Sequence, residues 1–239
     1  MPLPPRLTDN YLLAALSEDE RKDIAPHLSL VDLPLGTLLH ESGSRQSHAY
    51  FPTTAIMSLL YVMEDGSSAE IAIAGKEGMI GVSLFMGVDT TPSRAIVQSA
   101  GRAYRMDARL FGQAFQRGGM LQQMLLRYTH ALITQMAQTA VCNRHHSIDQ
   151  QLCRWLLMSL DRLPSNQLRM TQELIANMLG VRRSGVTGAA LKLQDAGLIR
   201  YNYGHIEVLD RPGLENRVCE CYRVVKREYD KLRLDPNTQ

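Results

Sequence analysis

The strongest structural signal in the sequence is Thr171-Gln-Glu-Leu-Ile-Ala-Asn-Met-Leu-Gly-Val-Arg-Arg-Ser-Gly-Val-Thr-Gly-Ala-Ala-Leu-Lys-Leu-Gln194. Thr171 carries the side chain of a helix N-cap, and Gly180 falls where a chain leaving a helix adopts a left-handed conformation. Val181 supplies an apolar residue for the turn, and Arg182 opens a second segment of helical periodicity. The stretch therefore predicts a helix-turn-helix over about residues 171–194.

Apolar positions assign an inner face to each of the two predicted helices. These positions are Leu174, Ile175 and Met178 in the first helix and Val186, Ala190 and Leu193 in the second. The small side chain of Ala176 lets the two helices approach closely.

The segment after the second helix predicts a strand, a tight turn and a second strand. Residues 196–201 and 206–209 are the apolar runs, and Asn202-Tyr-Gly-His205 lies between them. Such a β-hairpin after a helix-turn-helix is the wing of a winged helix. A helix beginning Arg-Arg can place guanidinium groups at base edges and hydroxyls on phosphates. We therefore predict DNA contacts by Thr171, Gln172, Arg182, Arg183, Ser184, Thr187, Lys192 and Tyr203; the alternative is a helical hairpin with a solvated basic face.

The first half of the chain has a different hydrophobic pattern, in which a helical segment is followed by short β-type segments. The apolar residues of the segment 11–28 recur at helical spacing, and Ser17 is predicted to cap a second helix within it. Residues 30–109 contain short β-type segments, and the runs 56–63 and 69–74 on either side of Asp65-Gly66 predict a β-hairpin. Several such strands indicate a jelly-roll of about eight strands.

A long helix is predicted from Leu121 to about Val141, followed by a hinge near residues 143–147 and a second helix from Ile148 to Arg162. The broad apolar face of the long helix favours a dimerisation helix, with a core helix of one subunit as the alternative. The predicted dimer contacts are Leu125, Tyr128, Leu132, Gln135 and Thr139. The expected divisions are a β-roll over 1–120, the dimerisation helix and hinge over 121–146, and the winged helix-turn-helix domain over 147–239.

Composition limits the class of protein. The 239 residues are 45% hydrophobic and 21% charged, as in soluble globular proteins. The sequence has no apolar run of membrane-spanning length and no signal peptide, so we expect a cytoplasmic protein without a membrane partner. The net charge is −1 over residues 1–164 and +3 over residues 165–239, which puts the basic excess where phosphates would be bound.

The four cysteines are Cys142, Cys153, Cys219 and Cys221. Their spacing provides neither a disulfide framework nor a C-x2-C pair for zinc. Residues two apart on a helix point to different sides, so Cys219 and Cys221 are expected to be poorly placed for a disulfide. The sequence thus predicts reduced thiols and no metal.

The order of parts resembles the Crp/Fnr family of bacterial transcription regulators. The resemblance rests on residues 41–43, 50–51, 65–66, 75–81, 171–183 and 197–199. It implies an α+β fold in which an N-terminal jelly-roll β-barrel, similar to cyclic-nucleotide-binding domains, precedes a long dimerisation helix and a C-terminal winged helix-turn-helix. It also implies a homodimeric regulator without enzymatic activity that binds a palindromic DNA operator, with RNA polymerase as a candidate partner.

The resemblance implies an effector pocket near Gly81, Val82, Ser83, Ser93, Arg94 and Met136. Val82 and Ser83 stand where the family's cyclic-AMP-binding members carry a ribose-binding Glu, and their Arg-Ser pair is reversed here as Ser93-Arg94. A one-residue slip in a strand turns a side chain to the opposite face, so cyclic AMP is not expected. The family's iron–sulfur sensors use N-terminal cysteines, and none precedes Cys142; an iron–sulfur cluster is therefore expected to be excluded, and no cofactor is predicted.

In the second helix only Arg183 matches the family's base-contacting pattern Arg-Glu-x-x-x-Arg, since Ser184 and Gly188 replace the other two residues.

Two alternative functions stay open. A cupin-like jelly-roll enzyme would need converging histidines, and residues 30–109 contain only His40 and His48, without a His-x-His step. A ligand-independent regulator would use the β-roll only for dimer or protein contacts. The operator sequence, the effector and the sense of regulation are not determined by the sequence.

Overall fold

The computed structural model describes residues 6–233. Two short helices open this part of the chain, α1 (Tyr11–Ala14) and α2 (Glu18–Ile24). Ser17 caps α2, because its hydroxyl accepts a hydrogen bond from the Glu20 backbone while the Glu20 carboxylate accepts one from the backbone of Ser17. The N-cap predicted at Ser17 is therefore present.

Seven strands form the β-roll in the described part of the chain, against about eight expected. They are β1 (Ser29–Leu33), β2 (Leu38–His40), β3 (His48–Pro52), β4 (Ile56–Val62), β5 (Ser68–Ala74), β6 (Arg94–Ser99) and β7 (Gly101–Asp107). They make two antiparallel sheets with the orders β1-β7-β3 and β2-β6-β4-β5. The predicted hairpin is the β4–β5 pair.

Two further helices, α3 (Val82–Phe85) and α4 (Ala108–Gln116), close the roll. Phe111 of α4 packs edge-on against Phe51 and Phe85, with ring centroids 5.8 and 6.0 Å apart. Such aromatic contacts add to the stabilisation from burial alone.

The long helix α5 (Gly119–His145) packs against the β-roll of its own chain. The Tyr128 hydroxyl donates to the Met79 carbonyl at 2.8 Å, and Gln135 Nε2 donates to the Ile73 carbonyl at 3.4 Å. The five residues predicted as dimer contacts are already buried within one subunit, where they pack inside the chain. They are Leu125, Tyr128, Leu132, Gln135 and Thr139.

The opposite face of α5 is exposed and also contains apolar side chains. Leu126 and Ile133 are 54% and 59% exposed, and with the exposed His130, Ala137 and Ala140 they recur at alternating spacings of four and three. This is the heptad spacing of a two-helix seam. We name these five residues the outer stripe.

The C-terminal part consists of helices around a small sheet. Its elements are α6 (Ile148–Leu160), β8 (Gln167–Arg169), α7 (Gln172–Leu179), α8 (Arg183–Asp195), β9 (Ile199–Asn202), β10 (His205–Val208), α9 (Arg211–Arg217) and α10 (Glu220–Asp230). The sheet order is β8-β10-β9. The sequence did not predict the short strand β8. The inner face of α7 also differs from the prediction, since Leu174 is 38% exposed, while Ala176 and Leu179 are buried.

Within residues 6–233, the structure contains no helix long and apolar enough to span a membrane.

Candidate nucleic-acid interface

Helix α7 has the caps that the sequence predicts, whereas α8 begins one residue later than predicted. Thr171 caps α7, and its Oγ1 accepts a hydrogen bond from the Leu174 amide at 3.2 Å. Gly180 ends α7 with φ +64°, in the left-handed region that glycine adopts without strain. Arg182 is the extended N-cap of α8, so the helix itself begins at Arg183. The tight turn between the helices follows from these local requirements.

Hydrogen bonds fix the two helices and the wing relative to one another. The Thr187 hydroxyl donates to Gln172 Oε1 at 2.7 Å, which joins α8 to the first turn of α7. The Tyr201 hydroxyl on β9 donates to the Met170 carbonyl at 2.7 Å. Burial raises the pKa of Tyr201 to about 12, and the nearby charge of Arg183 opposes that rise. The Tyr201 amide also donates to Gln194 Oε1 at 2.6 Å, so α8 lies beside the wing.

The wing turn projects beside the start of α7. Tyr203 has φ +46° and Gly204 has φ +80°, the two positive angles of a type I′ hairpin turn. The Tyr203 side chain is fully exposed. The Met170 amide donates to the Gly204 carbonyl at 2.7 Å, which keeps the turn next to Thr171.

Three of the predicted DNA-contacting residues, Arg182, Arg183 and Ser184, are exposed at the start of α8. Arg183 Nε is 4.0 Å from Glu173 Oε2, and both side chains are largely exposed. An exposed ion pair of this length is weak, so a phosphate or a base edge can displace it. Together with Thr171, Gln172, Thr187 and Tyr203, these residues form a surface on one side of the domain, which we name the reading surface.

Lys192 lies apart from the reading surface. Its ammonium group is 3.1 Å from Asp149 Oδ2 in the first turn of α6. Gly185 of α8 also lies close to α6, since a Cβ there would lie 2.6 Å from Ile148 Cδ1. This side of α8 therefore packs against α6.

The predicted effector residues near α3 contact other side chains of the roll. Gly81 caps α3 with φ +108°. The Ser83 hydroxyl donates to Gln46 Oε1 at 2.9 Å, and Gln46 Nε2 lies 3.3 Å from His40 Nε2. Gln46 and His40 are buried, as is Ser93, and burial lowers the pKa of His40.

Arg94 pairs with the carboxylate of Glu41 rather than with a side chain in the interior of the roll. Its Nε and Nη2 each donate to Glu41 at 2.8 Å, and these hydrogen bonds lower the pKa of Glu41. Val82 and Met136 are partly buried and pack against the hydrophobic core. The structure thus does not bring the six predicted effector residues together around one open pocket in the described part of the roll.

A cavity of about 660 Å³ lies between the β-roll and the winged domain. Ile56, Gln98 and Ser99 line it from the roll, and Leu168 and Arg200 line it from the winged domain. None of the predicted effector residues is among the described residues that line it. Its volume is in the range of small-molecule sites.

The expectation that the cysteine positions exclude an iron–sulfur cluster, and with it any metal centre, is wrong. Cys142, His146, Cys219 and Cys221 bring one ligand atom each to within 4.8 Å of one another. The cysteine spacing concealed this cluster because its members come from α5 and from the start of α10. Cys219 is the extended N-cap of α10, so its side chain does not follow the helical geometry that would separate it from Cys221. A Cys-x3-His step on the long helix was the available signal.

Residues 150–217 match the Crp-like helix-turn-helix domain family. No curated protein sequence matches the chain. Solved structures with a similar fold include the following three. A proposed transcriptional regulator of the crp/fnr family from Eubacterium rectale is 18% identical, with TM-score 0.68 and 89% of this chain and 97% of that chain covered.

The c-di-GMP-responsive global regulator CLP from Xanthomonas campestris is 16% identical, with TM-score 0.61 and coverage of 81% and 100%. A proposed cAMP-binding regulatory protein from Silicibacter pomeroyi is 15% identical, with TM-score 0.61 and coverage of 88% and 95%. At these identities the likeness shows the fold.

Proposed function

Because residues 150–217 form a Crp-like helix-turn-helix domain in a chain with the Crp/Fnr fold, we propose that the protein is a homodimeric regulator that binds a palindromic DNA operator. The observation that carries the proposal is the reading surface, on which the exposed Arg183 begins α8 beside the wing. The N-terminus of such a helix enters the major groove in this class of protein. The cupin-like alternative is not favoured, since His40 and His48 are engaged in separate contacts with Gln46 and Ser47.

Each residue of the reading surface has a proposed role. Arg183 makes a base contact, because a guanidinium can bond to two acceptors of a guanine. Arg182 and Ser184 contact phosphates beside it, and Thr171 and Gln172 contact the backbone at the start of α7. Tyr203 meets the DNA from the wing. We leave Lys192 out of the base-reading set because it pairs with Asp149.

The dimer forms through the outer stripe of α5 in this proposal. Leu126 and Ile133 are large apolar side chains that one subunit leaves exposed, and the heptad spacing suits a second copy of the same helix. A two-fold axis along the stripe gives two reading surfaces, as a palindromic operator needs.

Binding of labelled operator to the full-length protein, measured over a salt series, tests the function. We expect sub-micromolar binding that weakens steeply with salt, because Lys and Arg side chains displace counterions from phosphates. Arg183→Ala should lose about 1–3 kcal/mol of specific binding. Arg109→Ala removes an exposed arginine on α4, far along the chain from the reading surface, and should bind as the wild type does. Equal losses in the two variants would contradict the proposal.

A small molecule that controls binding can be sought at two places, the polar cluster around Ser83 and the cavity beside Ser99. Thermal unfolding with cyclic mono- and dinucleotides is the measurement, since a ligand that binds the folded state raises Tm with its concentration. Ser83→Tyr and Ser99→Tyr separate the two sites, because each fills one of them. No rise in Tm with any nucleotide favours a β-roll that acts only as a scaffold.

A further inference from the structure

Three buried cysteines form a cluster of their own. Cys142, Cys219 and Cys221 pack with the half-buried Val218 and are separate from the main hydrophobic core. A buried cysteine usually acts as a small apolar side chain within a core. Here the three thiols meet mainly one another, so burial of apolar surface does not explain why they converge.

Two distances in the cluster are close to those between ligands of one tetrahedrally coordinated ion, and all four ligand atoms lie within 4.8 Å of one another. Cys142 Sγ and Cys219 Sγ are 3.6 Å apart, and Cys221 Sγ is 3.5 Å from His146 Nδ1. A zinc ion with Zn–S bonds of about 2.3 Å and a Zn–N bond of about 2.0–2.1 Å gives edges of about 3.8 Å between sulfurs and about 3.6 Å between sulfur and nitrogen. We propose that Cys142, His146, Cys219 and Cys221 bind one Zn²⁺ ion.

The surroundings of His146 suit a ligand. Its Nδ1 faces the sulfur of Cys221, while its Nε2 is 3.4 Å from Glu220 Oε2. A carboxylate on the second ring nitrogen fixes the tautomer and orients a metal-binding imidazole. His146 therefore binds the ion through Nδ1 and donates its Nε2 proton to Glu220.

The charges around the cluster also suit the bound ion. Each cysteine releases its thiol proton to solvent when it binds the metal, so three thiolates, a neutral imidazole and Zn²⁺ leave one net negative charge. The N-terminal end of α10 lies at this site and favours negative charge. Arg154 Nη1 donates to Thr139 Oγ1, one turn before Cys142 on α5. The buried, positively charged guanidinium of Arg154 therefore lies close to the cysteine cluster.

The site would join two separate parts of the fold. Cys142 and His146 lie at the end of α5, directly before α6, and Cys219 and Cys221 lie at the start of α10. Zinc bound by closed sets of cysteine and histidine contributes directly to folding. The ion would therefore clamp the C-terminal helix onto the junction between the long helix and the winged domain.

Elemental analysis of the full-length protein, freed of any histidine tag, is the first test. We expect about one zinc ion per chain in the wild type, as in closed four-ligand sites, and far less in Cys219→Ser and Cys221→Ser. Cys153→Ala is the matched control, because Cys153 is a buried cysteine of α6 outside the cluster, and it should keep its zinc. Glu220→Gln should keep the zinc but bind it about 10–100-fold more weakly in chelator competition.

A second measurement needs no variant. Wild-type protein stripped of metal should gain the visible absorption bands of tetrahedral cobalt and the thiolate-to-cobalt charge-transfer band when Co²⁺ is added. Added Zn²⁺ should displace the cobalt and raise Tm. Iron with acid-labile sulfide, reduced wild-type protein that takes up neither Zn²⁺ nor Co²⁺, or zinc retained by both serine variants would each overturn the proposal.

Discussion

Arg162 and Glu77 form a buried ion pair, with Nε 2.7 Å from Oε1, that joins the winged domain to the β-roll. Arg162 follows α6, and Glu77 lies in the loop between β5 and α3. Arg162 Nη1 also donates to the Met158 carbonyl, and its guanidinium covers the ring of Tyr229 on α10. One side chain thus contacts the roll, α6 and the C-terminal helix.

Glu77→Gln should lower the free energy of unfolding by about 3–5 kcal/mol, because it leaves the charge of Arg162 buried without its counterion. Denaturant unfolding measures the change. Asp32→Asn is the matched control, since the Asp32–Arg102 pair is largely exposed and such pairs contribute at most about 1 kcal/mol. Equal effects in the two variants would show that the buried pair has no special role.

Glu70 should make stability depend on pH. Its carboxylate accepts a hydrogen bond of 2.5 Å from the Ser58 hydroxyl, and burial raises its pKa from 4.5 to about 7. The folded state therefore binds this proton more tightly than the unfolded state does. The stabilisation is fully present below about pH 4.5 and is lost as the pH rises through about 7.

Denaturant unfolding of the wild type and of Glu70→Gln at several pH values checks this. The free energy of unfolding of the wild type should fall relative to the variant by about 3 kcal/mol between pH 4.5 and 8. A difference that stays constant, or that grows with pH, is inconsistent with a proton held by Glu70 in the folded state.

Ile133→Glu should convert the proposed dimer to monomer. The substitution puts two carboxylates into an apolar seam, which costs at least about 2 kcal/mol. Light scattering after gel filtration gives the mass. Met63→Glu changes an equally exposed apolar residue on the β4–β5 turn and should leave the dimer intact. A dimer that survives Ile133→Glu would place the seam elsewhere.

Gly188→Ala should raise the free energy of unfolding by about 0.5–1 kcal/mol, because glycine within a helix costs that much relative to alanine. A Cβ at this position would meet nothing within 4 Å. Gly78→Ala is the contrasting change, since its Cβ would overlap the ring of Tyr128, and it should destabilise the protein. Thermal unfolding of both variants distinguishes the two effects.

Local signals made the helix-turn-helix predictable. The Thr171 cap, the left-handed Gly180 and the turn at Tyr203-Gly204 each depend on neighbouring residues, so the sequence contains the whole requirement. The hairpin of β4 and β5 was predictable for the same reason. The strand β8 was not, because its three residues become a strand only by pairing with β10.

The packed face of α5 and the cysteine cluster were not predictable, because both depend on contacts between distant parts of the chain. Helix α5 is apolar on two faces, and periodicity cannot tell which face meets the roll of the same chain; Tyr128 lies inside and Ile133 outside. The cysteine cluster joins Cys142 to Cys219, 77 residues further along the chain. Spacing within either segment could not show that α10 returns to the end of α5.

Selection of bound sequences from a random pool of double-stranded DNA by the full-length protein is the sharpest test of sequence-specific binding by a dimer. We expect enrichment of a palindrome whose half-sites lie about one helical turn apart, with Arg183→Ala relaxing the preference at one base pair of each half-site. A pool that shows no sequence preference after repeated rounds, while the protein is folded, would show that the protein is not a sequence-specific regulator.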